Sequence, residues 1–196
     1  MKTLIAILTF ALVSASTVAV AQESSKELRR EDRKAVRDAE RAKLKAEENT
    51  ANAAAYQQAV QALKDKQFVL EADQVIFRRG QSAFVSSTTN FVMMNEQRAT
   101  VQIAFNTAYP GPNGIGGITV DGTPSDMKTT IDKKGNVNTS FSVQGIGISA
   151  QIFITLTNGG NNATVTVNPN FNSNTLTLNG NLVPLSQSDV FKARAW

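Results

Sequence analysis

Val137-Asn138-Thr139-Ser140-Phe141-Ser142-Val143 and, after a short glycine-containing break, Ile148-Ser149-Ala150-Gln151-Ile152-Phe153-Ile154-Thr155-Leu156 decide the fold. In both stretches apolar and polar residues alternate, the period of a β-strand with one face buried. Working outward, the same alternation holds Ala163, Val165 and Val167, then Leu176 and Leu178, and upstream Val101, Ile103 and Phe105. Gly- and Asn-rich breaks separate the runs at Arg79-Gly80, Gly114 to Gly117, Asp121-Gly122, Lys134-Gly135-Asn136, Asn158-Gly159-Gly160 and Asn179-Gly180. Lys133 to Asn136 and the last two breaks have the chemistry of tight hairpins, because Asn and Gly tolerate positive φ. The expectation is a mainly β protein with a long N-terminal α-helix. Its sheet is an antiparallel β-sandwich or curved half-barrel of about 8–10 strands, apolar on one face and polar on the other.

Upstream of Lys66 the period is helical. No Gly or Pro occurs from Gln22 through Gln67, and Ala, Glu, Lys, Arg and Leu dominate. Ser24 or Ser25 is placed as N-cap, with Glu27 completing a capping box for Ser24. An unbroken helix from Ser24 to Asp65 would be roughly 60 Å long. Lys26, Arg30, Arg33, Arg37 and Arg41 fall on one stripe. Leu28, Ala35, Ala42, Asn49, Tyr56 and Leu63 take the d positions of a heptad, and Asp32, Ala39, Ala46, Ala53 and Val60 the a positions. Alanine buries little area, and Asp32 and Asn49 interrupt the seam, so self-association through this coiled-coil-like register is weak. Residues 22–50 read as a charged, solvated helix stabilised by pairs such as Glu27 with Arg30, Lys34 with Asp38 and Lys43 with Glu47. From Ala53 onward Tyr56, Val60 and Leu63 give the stripe enough apolar surface to dock on the β domain, so residues 51–196 form one unit.

Residues 1–21 read as a secretory signal peptide: Lys2 in a basic n-region, an apolar run from Leu4 to Val13, and Ala19-Val20-Ala21 as a small-x-small site with cleavage after Ala21. The address is periplasmic or secreted. Gln22, and the lack of any cysteine, remove lipid anchoring, disulfides and thiolate metal sites. About 175 remaining residues suffice for an ordinary packed core. No stretch reaches the roughly 20 apolar residues of a spanning helix. Alternating strands and the terminal Trp196 resemble an outer-membrane barrel, but a last strand stepping back from Trp196 would turn Arg194 and Lys192 to lipid, at about 2–4 kcal/mol each near the midplane. A sheet domain outside the membrane is the better reading.

Charge is distributed in zones. Glu23 to Glu48 carries nine Lys/Arg and eight Asp/Glu, whereas Gly135 to Ser188 carries none. The net +4 therefore describes no single surface, and nucleic acid is not an expected partner.

Catalytic chemistry has few candidates. The chain has no histidine and no cysteine, which removes the commonest general base, metal ligand and thiol nucleophile. The carboxylates of the β region are Glu71, Asp73, Glu96, Asp121, Asp126, Asp132 and Asp189. They leave a two-carboxylate glycan hydrolase as the one enzymatic alternative; Glu71 and Asp73 would share one face if their segment is a strand, an arrangement that holds a cation or simply faces water. Asp121-Gly122 and Asp132 lack calcium-loop spacing. Gly111-Pro112-Asn113-Gly114-Ile115-Gly116-Gly117 has Ile118 where a phosphate loop needs Lys, so it reads as a plain connection over one end of the sheet. No catalytic, cofactor-binding or metal-binding residue is assigned, and no cofactor is expected.

Phe68-Val69-Leu70-Glu71-Ala72-Asp73, Arg79-Gly80, Phe84 to Val92, Arg98-Ala99-Thr100-Val101-Gln102, Gly116 to Gly122 and Leu182-Val183-Pro184 resemble an uncharacterised family of exported proteins of Gram-negative gut-type bacteria. The resemblance covers most of residues 50–196. It implies a signal peptide, a charged Ala-rich helix and an all-β domain of unknown function, and assigns no site residue. Three functions follow in order: a non-catalytic envelope protein binding or scaffolding an unknown component; a carrier of an apolar small molecule in a half-barrel lined by Phe105, Phe141, Ile152 and Phe153; and a glycan-binding or glycan-processing role on the uncharged Asn/Thr face.

Overall fold

The computed structural model describes the backbone of residues 2–105, 112–146, 148–170 and 174–195, with side chains from Arg29 onward. Gly111, Trp196 and the side chains of residues 1–28 lie outside the described residues. The elements are α1 (Lys2–Asp65), β1 (Gln67–Phe77), β2 (Ser82–Phe84), β3 (Phe91–Asn95), β4 (Arg98–Ala104), β5 (Gly117–Ile131), β6 (Val137–Gly145), β7 (Ile148–Leu156), β8 (Asn162–Pro169) and β9 (Leu176–Pro184), ending in a 3-10 turn at Leu185–Gln187. The chain divides into two compact units, Met1–Asn49 and Thr50–Trp196.

In the second unit the strands run antiparallel in the order β2-β1-β3-β4-β5-β6-β7-β8-β9, and β1 also pairs with β9. That last pairing, from Phe68↔Pro184 to Phe77↔Leu176, closes eight strands into a barrel and leaves β2 as an extra strand on β1. The structure is therefore a closed barrel, neither a sandwich nor an open half-barrel. Closure joins segments about a hundred residues apart, which local alternation does not report.

Two expected turns lie inside strands instead. Asn179-Gly180 sits mid-β9 on the closing seam, where a Cβ on Gly180 would stand 2.0 Å from the Glu71 carbonyl oxygen. This glycine lets two backbones approach; it does not turn the chain. Asp121-Gly122 likewise lies within β5. Asn158-Gly159-Gly160 and Lys133 to Asn136 do form the β7–β8 and β5–β6 hairpins, with Gly159 and Gly135 at positive φ.

An eight-stranded barrel has an interior just wide enough for side chains to fill. Phe68, Leu70, Met94, Phe141, Ile152, Ile154, Leu156, Leu178 and Leu182 occupy it, each 3% exposed or less. Apart from Phe153, the outward residues of β6 to β8 are polar, including Asn138, Ser142, Gln151, Thr155 and Thr164. Apolar inside and polar outside is the reverse of the facing a transmembrane barrel needs. Among the described residues no helix is long and apolar enough to cross a membrane.

The end of α1 plugs one mouth. Ala59, Val60, Ala62 and Leu63 join the barrel core, and Tyr56 Oη donates to the Gly135 carbonyl of the β5–β6 turn. Residues 29–54 of the same helix are exposed, with Lys43 and Glu47 paired at 4.0 Å. The helix runs through Ser24 and Ser25, so neither is its N-cap.

Candidate functional site

The mouth opposite α1 is where β1, β4, β6 and β8 end and where β3, β5, β7 and β9 begin. Its wall has a gap. β3 is short: it meets β1 only up to Glu71↔Phe91 and β4 only up to Gln102↔Phe91, while beyond the bulge at Asp73 the flank of β1 is taken by β2. Past β3, no strand among the described residues lies between β2 and the end of β4. The fully buried Asn90 staples the opening: its Nδ2 donates to the Ser86 carbonyl at 3.0 Å, its Oδ1 accepts from Ala104 N–H at 2.8 Å, and its carbonyl accepts from Ala72 N–H at 2.9 Å. A side chain thus supplies the bonds a strand would make here and ties β1 to β4.

The gap is a recess of about 540 Å³ lined by Phe84, Val85, Ser86, Thr89, Ala104, Phe105 and Ile115. Five of the seven are apolar. Phe77 backs the recess from inside the barrel, its ring 5.6 Å from that of Phe105 at a tilt of 34°. Phe84 is 87% exposed on the edge strand β2. The volume lies within the range that takes a small organic ligand. The rim beside Ile115 is anchored by the buried Asn113, whose Oδ1 accepts from Ile115 and Gly117 N–H while its Nδ2 reaches the Ile103 carbonyl and Thr119 Oγ1. The glycine-rich stretch is therefore tied down over residues 113–117.

Of the four residues expected to line a carrier cavity, only Phe105 reaches this recess. Phe141 and Ile152 are packed in the filled interior, and Phe153 points outward from β7. The sequence gives no periodic signal for Phe84, Val85 or Ile115, which lie in or beside non-repeating connections.

The carboxylates are dispersed, and Glu71, Glu96, Asp121, Asp126 and Asp132 each accept from different partners. Glu71 and Asp73 both lie on β1, but the register of β1 against β9 shifts between Ala72 and Gln74, and Glu71 accepts from Ser188 Oγ at 2.6 Å. Glu96 accepts from Gln67, and Asp132 from Lys134 N–H, Asn136 N–H and Asn136 Nδ2 across its turn. Those bonds, led by the Asn136 side chain, hold the Asp132 carboxyl below the ordinary range. Asp121 accepts from Thr100 Oγ1 at 2.6 Å and pairs with Lys192 Nζ at 2.8 Å. Burial raises its pKa, but the Lys192 and Thr100 hydrogen bonds and the charges of Lys192 and Arg98 outweigh that and lower it. Among the described residues no three His, Cys, Asp or Glu side chains converge as a metal site.

Lys192 belongs to an irregular tail that straps the outer face of β3 to β5. Phe191 N–H donates to the Thr88 carbonyl. The fully buried Gln102 donates to the Thr89 and Phe191 carbonyls and accepts from Thr119 Oγ1 and Ala193 N–H. There is no final strand carrying Lys192 and Arg194 to lipid.

A family model described as domain of unknown function DUF4251 matches residues 50–182. The chain belongs to the DUF4251 family. The match begins where the second compact unit begins, at Thr50. A DUF4251 family protein from Bacteroides eggerthii DSM 20697, known from a crystal structure, is 70% identical; the alignment covers 76% of this chain and 99% of that one, with a TM-score of 0.63. No curated protein matches.

Proposed function

We propose that this DUF4251 protein is an exported, non-catalytic binding protein that holds an apolar small molecule in the recess between β2 and β4. The observation that carries the reading is the built gap. Asn90 spends its polar atoms tying β1 to β4 beside Phe105, and an opening of that kind exposes apolar surface that a bound hydrophobe would cover. The Lys2, Leu4–Val13 and Ala19–Ala21 pattern supports export with cleavage after Ala21 to a periplasmic or secreted location. The dispersed carboxylates support a role without catalysis. Because side chains fill the barrel interior, the ligand in this reading sits at the mouth and not on the barrel axis.

Titration with the apolar dye N-phenyl-1-naphthylamine tests this. The wild type should enhance its fluorescence saturably, and Phe105→Ser should weaken binding about tenfold, the worth of roughly 1.5 kcal/mol of lost apolar contact. No saturable enhancement, or equal binding by Phe105→Ser, overturns the assignment.

A further inference from the structure

The outer wall formed by β6, β7 and β8 is uncharged. From Gly135 to Ser188 the chain carries no charge, so this face is made of hydroxyls and amides. At its centre stands one aromatic side chain. Phe153 is 42% exposed, directly across from Ser140 of β6 and Thr166 of β8. Thr155 Oγ1 donates to Asn138 Oδ1 at 3.0 Å, which orients that amide with its N–H donors turned away from Thr155. Lys128 of β5 joins Asn138, Ser140, Phe153 and Thr155 around a shallow depression of about 300 Å³.

We propose that this wall is a neutral-glycan platform with Phe153 as its stacking ring. A sugar ring offers an apolar face of C–H groups rimmed by hydroxyls, and it needs a flat apolar surface surrounded by uncharged donors and acceptors. Neighbouring strands stand about 4.8 Å apart. A sugar seated on the Phe153 ring therefore has its rim within hydrogen-bond reach of Ser140 and Thr166 on either side. The absence of carboxylates and the single peripheral Lys128 favour a neutral glycan over an acidic one or a cationic ligand. An aromatic residue opposite Ser and Thr also favours strand pairing, and that role alone predicts no sugar binding.

The test is an NMR titration of the full chain with cellohexaose, maltohexaose, xylohexaose and mannohexaose. The proposal expects at least one of the four to shift the Ser140, Phe153 and Thr166 amides saturably. Phe153→Thr should weaken that binding at least tenfold with an unchanged melting temperature, Phe153→Trp should retain it, and Phe105→Ser should leave it intact, which separates this wall from the recess. No shift with any of the four sugars, shifts elsewhere on the barrel, or undiminished binding by Phe153→Thr would each overturn it.

Discussion

Replacing Gln102 by leucine should detach the C-terminal tail and destabilise the barrel by about 3 kcal/mol. The side chain is fully buried on the outer face of β4 and makes four hydrogen bonds: to the Thr89 carbonyl (3.0 Å), the Phe191 carbonyl (2.7 Å), Thr119 Oγ1 (2.8 Å) and Ala193 N–H (2.8 Å). Leucine is close in volume and satisfies none of them. A buried polar group stripped of its partner costs about 1–3 kcal/mol. Four bonds are forfeited, each worth a net of about 0.5–1.5 kcal/mol, and peeling of the tail lets water recover part of the loss, which gives about 3 kcal/mol in total. In a unit of this size that lowers the melting temperature by roughly 6–12 °C. Calorimetry reads the shift, and limited proteolysis reads the tail, which should be trimmed back toward Ser188 in Gln102→Leu while the wild type resists. Removing residues 189–196 should destabilise similarly, and the two changes together should cost less than their sum because they break the same bonds. A melting temperature within about 2 °C of wild type, or a tail no more accessible to protease, would refute this account of the strap.

Other perturbations probe the remaining joints. Gly180→Val should cost more than 3 kcal/mol or prevent folding, because a side chain 2.0 Å from the Glu71 carbonyl pushes β1 from β9; urea titration measures it, and a loss under about 1 kcal/mol would mean the seam is not closed this way. Lys66, at φ 56 where α1 hands over to β1, occupies a left-handed position that costs a residue with a Cβ about 1 kcal/mol, so Lys66→Gly should raise the urea midpoint slightly. Asp121 has a lowered pKa, so the folded state binds its proton less readily than the unfolded chain. The stability from its bonds is present above the ordinary carboxylate pKa of about 4 and is lost as pH falls below it. Asp121→Asn should be less stable than wild type at pH 7, and the gap should shrink as unfolding is measured at progressively lower pH; a gap that widens in acid would contradict the pairing with Lys192.

What could be read in advance divides by the distance over which the information acts. β6, β7 and β8 were legible because alternation in Val137–Val143, Ile148–Leu156 and Ala163–Val167 is a property of adjacent residues. So was the docking of Tyr56, Val60 and Leu63, an apolar stripe emerging from a charged helix. Closure was not, since it rests on β1 meeting β9. A clue existed in the parity of Leu176, Leu178, Gly180 and Leu182, where Gly180 holds an inward position in an apolar series, but Asn-Gly chemistry points equally to a hairpin. Thr100, Gln102 and Thr119 look like solvent-facing positions of alternating strands. They are buried because a tail without periodicity lies over them. The recess was illegible for a related reason: Asn90, Val85 and Ile115 sit in connections, where position depends on what the neighbouring strands leave uncovered.

Native mass spectrometry of the protein isolated from its own cellular compartment reads whether the gap beside Phe105 holds an apolar molecule. The account predicts a population heavier than the bare chain by one small organic molecule that extracts into organic solvent, lost in Phe105→Ser isolated the same way. A spectrum containing only the bare chain mass, or an adduct retained unchanged by Phe105→Ser, would contradict it.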